Sequence, residues 1–136
     1  MTTKTSTASQ LEANKELVKK ALHELFVQRD LTALDRYWAE PYIQHNPEVP
    51  DGIEGLRGFL KDRIPPTLVY KRGMMIAERD LVVVHSSYGG IAERPFIAFD
   101  VFRVKDGKIV EHWDVLQPET PASESANGRS MFEPVT

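Results

Sequence analysis

The spacing of apolar residues changes character once along this chain, and that change limits the fold more than any other feature. Leu17, Val18, Ala21, Leu22, Leu25 and Phe26 recur at helical intervals, which gives an amphipathic helix over about residues 11–28. Leu31, Leu34, Tyr37 and Trp38 form the apolar face of a second helix near 31–40, which Asp30 can cap and Pro41 ends. A short extended piece over 42–46 and a loop with Pro47 and Pro50 come next. Ile53, Leu56, Leu60 and Ile64 then mark a third helix over 53–64, stopped by Pro65 and Pro66. Beyond that point the pattern is extended, and 67–77, 81–88, 95–104 and 109–116 read as four strands.

The punctuation agrees with this division. Ser9 with Glu12, and Asp51 with Glu54, have capping-box spacing at helix starts. Glu78–Arg79–Asp80 is short and polar, so the first two strands form a hairpin, and Gly89–Gly90 bulges or ends the second. Asp106–Gly107 is a hairpin turn signal between the last two. Helices placed before strands argue for an α+β fold, with three N-terminal helices packed on a curved antiparallel sheet. A strongly curved sheet wrapped around the first helix would make a cone-shaped α+β barrel with a cavity. The expected organisation is a disordered lead over 1–10, one domain over 11–116 and an irregular tail over 117–136. Within the tail, Met131 and Phe132 stand side by side among polar residues and prolines, so this segment is expected to dock near the cavity rim.

Composition narrows the function classes. With 136 residues, 41% of them hydrophobic, the chain suits a single core. Lys and Arg number 17 against 20 Asp and Glu, a net charge of -3, which argues against a nucleic-acid partner. No cysteine is present, which excludes disulfides, thiolate catalysis and cysteine-held metals. No stretch has the apolar length of a membrane span, and the Thr/Ser-rich first ten residues lack a signal core. The expectation is a cytoplasmic protein that does not engage membranes.

Five residues could carry chemistry. His45 lies between two helices, where a lone histidine is commonly just solvated or hydrogen-bonded. His85 sits in the apolar strand 82–86, where the plain reading is a buried neutral imidazole. Asp100 is flanked by Phe99 and Val101; it either pairs with Arg103 or a backbone amide, or faces a lined cavity as a neutral acid able to stabilise an oxyanion. His112 and Asp114 are two apart on one strand and share a face, so a base and its orienter can stand side by side. His45, His85, His112 and Asp114 are also metal-ligand types, but no tight metal motif connects them, and neither a metal nor a cofactor is expected.

The ordered series Tyr42-Ile43-Gln44-His45-Asn46-Pro47, Gly52-Ile53-Glu54-Gly55, Phe99-Asp100-Val101-Phe102-Arg103-Val104 and Asp106-Gly107-Lys108-Ile109-Val110-Glu111-His112-Trp113-Asp114 resembles SnoaL-like polyketide cyclases. Within the nuclear-transport-factor-two-like superfamily, the branch it resembles is the one described as aldol-condensation enzymes. The resemblance implies a cavity that takes a small hydrophobic carbonyl compound, and a homodimer formed through the sheet. Asp100 falls where ketosteroid isomerase has its oxyanion-stabilising aspartic acid, and His45 falls near that enzyme's basic aspartate. His112 and Asp114 fall where limonene epoxide hydrolase has a pocket tryptophan and a catalytic aspartate. That enzyme's intervening arginine is Trp113 here, which argues against epoxide hydrolysis. The expected catalytic set is His45, Asp100, His112 and Asp114, with Trp38, Asn46, His85 and Phe102 contacting the ligand. In this scheme His45 or His112 is the base, Asp100 the oxyanion donor and Asp114 the orienter. The same pocket could instead serve a binding module without turnover, or a metal site lined by histidines.

Overall fold

The computed structural model describes residues 6–135. The first helix, α1 (Ala8–Leu22), buries Val18, Ala21 and Leu22 along one stripe and widens into a π-helical turn over His23–Val27 that buries Leu25. Its capping box is formed by Thr7 and Gln10, not by Ser9 and Glu12. The helix therefore begins inside the segment expected to be disordered; residues 1–5 lie outside the described residues. A short α2 (Ala33–Tyr37) follows, then β1 (Trp38–Gln44) and α3 (Gly52–Arg63). The remaining strands are β2 (Val69–Glu78), β3 (Leu81–Gly89), β4 (Phe96–Lys105) and β5 (Lys108–Pro118).

The sheet order is β1-β5-β4-β3-β2. Strands β2 to β5 form the expected antiparallel meander. β1 departs from expectation: Trp38 starts a strand and does not end a helix, and β1 pairs in parallel with β5 through Ile43–Glu111 and Gln44–His112. Local apolar spacing extends α2 through Trp38, but backbone pairing with β5 at long range overrides it. The sheet is curved and does not close, because β1 and β2 remain its two edges.

The two turns marked by glycine behave as read. Asp106 and Gly107 both have positive φ, 50° and 71°, as a two-residue hairpin requires. Gly90, at φ 77°, follows the end of β3, and a Cβ there would lie 1.9 Å from the Thr67 carbonyl oxygen.

Strand alternation sorts the sheet into two faces. Val82, Val84, Phe102 and Val104 point toward the helices and pack with Val18, Leu22, Leu25, Leu34 and Leu60. Each such side chain contributes about 1.5–3 kcal/mol by leaving water. The opposite face carries Val83, His85, Phe99, Val101, Trp113 and Val115, paired across β3, β4 and β5. The tail crosses that outer face. Phe132 is buried against the His85 ring at 5.1 Å, and the Val135 amide donates to the Arg72 carbonyl at 3.1 Å. The tail thus docks as expected, but behind the sheet and not at the cavity rim.

Candidate active site

β5 places His112 and Asp114 on the inner face and Glu111, Trp113 and Val115 on the outer one, as period-two alternation dictates. Asp100 on β4 lies directly across from Asp114, and Phe102 across from His112. This register brings His112 Nε2 within 3.0 Å of Asp100 Oδ1 and 3.7 Å of Asp114 Oδ2. Asp100 is 1% exposed, and its second oxygen accepts the Tyr88 hydroxyl at 2.7 Å. Burial drives the Tyr88 pKa well above its ordinary value, so that hydroxyl keeps its proton and donates.

The parallel edge strand supplies the rest. Gln44 Oε1 accepts the His45 and Asn46 backbone amides at 3.1 and 3.0 Å, which fixes the orientation of its side-chain amide. The same oxygen lies 2.7 Å from His112 Nδ1, so Nδ1 carries a proton and donates. Asn46 Nδ2 donates to both Asp114 oxygens, at 2.9 and 3.0 Å. Burial raises the Asp114 pKa, opposed by the Asn46 hydrogen bond and the His112 charge.

These contacts fix a proton inventory. With Nδ1–H committed to Gln44, the 3.0 Å contact between His112 Nε2 and Asp100 needs one further proton between them. Asp100 has both oxygens engaged and His112 both nitrogens. Asp114, held by one amide group, keeps lone pairs for a ligand.

The three groups open onto a cavity of about 280 Å³. Its lining is largely apolar, with Leu22, Leu25, Phe26, Trp38, Leu56, Phe59, Leu60 and Phe102. Tyr42, Gln44, Asn46 and Tyr88 add hydroxyl and amide groups. An apolar chamber with a few convergent polar groups is the usual form of a small-molecule site.

Of the expected residues, Trp38, Asn46, Asp100, Phe102, His112 and Asp114 meet at this cavity. His45 and His85 do not. Gln44 and Asn46 face inward, so His45 between them faces outward, with its ring stacked on Trp113 at 4.6 Å and Nε2 2.7 Å from Glu111. His85 is one strand position from the inner-facing Val84; its ring lies on Phe99 at 4.4 Å, and among the described residues its Nδ1 has no partner. Burial lowers the His85 pKa. The four-residue metal set therefore does not assemble. Among the described residues the group that converges is Asp100, His112 and Asp114, with potential ligand atoms within 4.8 Å of one another. Tyr42, Gln44 and Tyr88 are site residues that the sequence reading did not single out. The alternation Tyr42, Gln44, Asn46 was the available signal for two of them, once 42–46 is taken as a strand.

A family model described as a SnoaL-like domain matches residues 19–112. The chain belongs to the SnoaL-like domain family. Solved structures share the fold of this SnoaL-like chain. One is a protein from Bacillus cereus provisionally named a polyketide cyclase, 21% identical over 82% of this chain and 79% of that one, with a TM-score of 0.67. Another is IdmH from Streptomyces antibioticus, also provisionally named a polyketide cyclase, 23% identical over 76% and 91% of the two chains, with a TM-score of 0.59. A third is an NTF-2-like protein of unknown function from Burkholderia xenovorans, 14% identical over 79% and 84%, with a TM-score of 0.68. At these identities the likeness is one of fold. No curated protein matches the chain significantly. Among the described residues, no helix is long and apolar enough to cross a membrane.

Proposed function

We propose that this SnoaL-like protein is an acid–base lyase or isomerase that enolises a small carbonyl compound in the apolar cavity. The supporting observation is the Asp100–His112–Asp114 cluster, whose internal hydrogen bonds leave one carboxylate open to the cavity. Asp114 takes the α-proton of the bound ketone; the C–H electron pair forms the C=C bond of the enolate as the C=O π pair moves onto the oxygen. Its raised pKa brings it nearer to neutral pH as a base. His112, held by Gln44 and Asp100, stands 3.7 Å from Asp114 and stabilises its charge. Attack of the enolate on a second carbonyl forms the C–C bond of an aldol cyclisation, and the proton held by Asp114 passes to the resulting alkoxide. Return of the proton from Asp114 to a different carbon gives isomerisation instead. These roles differ from those drawn from the sequence: Asp114 replaces His45 and His112 as base, and Asp100 holds His112.

The test is α-hydrogen exchange. Aryl ketones first shown by NMR to bind the cavity are incubated in deuterium oxide with the protein. Faster α-deuteration than in buffer, lost in Asp114→Asn, is the expected result. Bound ketones that exchange no faster than in buffer would show the chain to be a binding module.

A further inference from the structure

Tyr42 is 3% exposed and lines the cavity from β1. Its hydroxyl oxygen accepts a hydrogen bond from Gln44 Nε2 at 3.3 Å. The direction of that bond is fixed, because Gln44 Oε1 already receives three donors and the amide nitrogen has no lone pair to offer. The Tyr42 proton therefore cannot go to Gln44, and among the described residues no other acceptor takes it. Burial raises the Tyr42 pKa, so the proton stays on the oxygen. On the same strand the buried Trp38 indole N–H acts as a donor toward the Tyr42 oxygen and opposes the effect of burial, so that oxygen is supplied with donors while its own proton stays unspent. A buried donor facing a cavity is normally satisfied, and an unspent one calls for an acceptor from outside the protein.

We infer that Tyr42 recognises the ligand's oxygen: the cavity, about 280 Å³ in volume, selects small apolar ketones whose carbonyl accepts a hydrogen bond from the Tyr42 hydroxyl. This deepens the acid–base reading of the same site. It places the carbonyl oxygen at β1 and the α-carbon toward Asp114, whose charge acts on Tyr42. As the enolate forms, negative charge develops on the oxygen that Tyr42 already holds. Asp100, with both oxygens occupied, is not required as the oxyanion donor.

The test compares two probes of nearly equal shape, 2-acetylnaphthalene and 2-isopropenylnaphthalene, which differ in having a carbonyl or a methylene group. The wild-type protein should bind the ketone about tenfold more tightly, the worth of one satisfied hydrogen bond. The infrared carbonyl stretch of bound 13C-labelled ketone should fall below its position in an apolar solvent. Tyr42→Phe should abolish both the preference and the shift, with Trp38→Phe as a comparison on the same strand. An unshifted carbonyl band in the wild-type protein overturns the proposal whether or not the Tyr42 variant folds. So does a preference that survives in folded Tyr42→Phe. Neither measurement needs turnover: loss of the enolisation reading leaves this result standing, and exchange retained without a carbonyl shift sinks only the role of Tyr42.

Discussion

Asp114 and His85 are both removed from water, and burial shifts their pKa values in opposite directions. Asp114 is raised, so it is protonated and idle as a base at acid pH, and activity should climb as pH rises through its elevated pKa. The acid limb of kcat/KM is therefore expected above the ordinary aspartate value of about 3.9. Asp114→Asn should lower turnover by about 10²–10⁴-fold while ligand affinity changes little. An acid with a raised folded pKa adds stability below its unfolded pKa and loses it as pH rises through the folded one. Asp114→Asn should accordingly melt no lower than wild type at pH 7. His85 is lowered, so its stability contribution is present above about 6.5 and is lost as pH falls from there through the folded value. Its Nδ1 is also an unsatisfied buried atom, worth roughly 1–3 kcal/mol of penalty. His85→Phe should raise the melting temperature and flatten its decline below pH 6.5; a variant that melts lower would show that the imidazole has a partner in solution.

At the scale of elements, the tail and β2 depend on each other. A Cβ on Gly73 would stand 2.8 Å from the Phe132 ring, where β2 shifts register against β3. Gly73→Ala should displace Phe132 and lower the melting temperature. Removal of residues 119–136 should do the same, by roughly 5–10 °C for one large buried ring. Neither change should alter ligand affinity, because the tail lies on the face away from the cavity; a large loss of affinity would contradict that placement. The four antiparallel strands were readable because alternation and two-residue turns are local signals. β1 was readable only from Tyr42 on, because Trp38 continues the helical spacing of Leu31, Leu34 and Tyr37, and only the pairing with β5 declares its first half a strand. Asp51 does stand at the start of α3, but the capping box that its spacing with Glu54 predicts does not form. Asp51 accepts the Gln44 amide, and Glu40, which is distant in sequence from α3, meets the Ile53 amide instead. On the strands that were placed correctly, Asp100, His112 and Asp114 converge as their phase implies. His45 was misjudged because its inward neighbours Gln44 and Asn46 decide its direction.

For the whole molecule, the outer sheet face is the surface left to account for. Phe99 is 49% exposed and Val115 78%, beside Val101 and Trp113. Apolar patches of this kind commonly meet another protein surface. We expect a second copy there, burying more than about 1,000 Å² in total. Light scattering should give twice the chain mass for the wild type and a single chain for Phe99→Glu with Val115→Glu, with cavity binding retained. A monomeric wild type at micromolar concentration would rule this out.

The wall dividing cavity from outer face is one strand thick, and residues 44, 45 and 46 alternate through it. Parity of chain length is therefore a chemical variable in this protein. Deleting Ile43 would leave β1 free to pair with β5, yet it would turn an imidazole into the chamber and send both amides that hold His112 and Asp114 out of it. Losing two residues would shorten the strand and preserve every facing. Relatives that differ in length across this stretch should then differ by even numbers wherever the Gln-x-Asn pair is kept, and an odd change should coincide with a different way of holding the histidine.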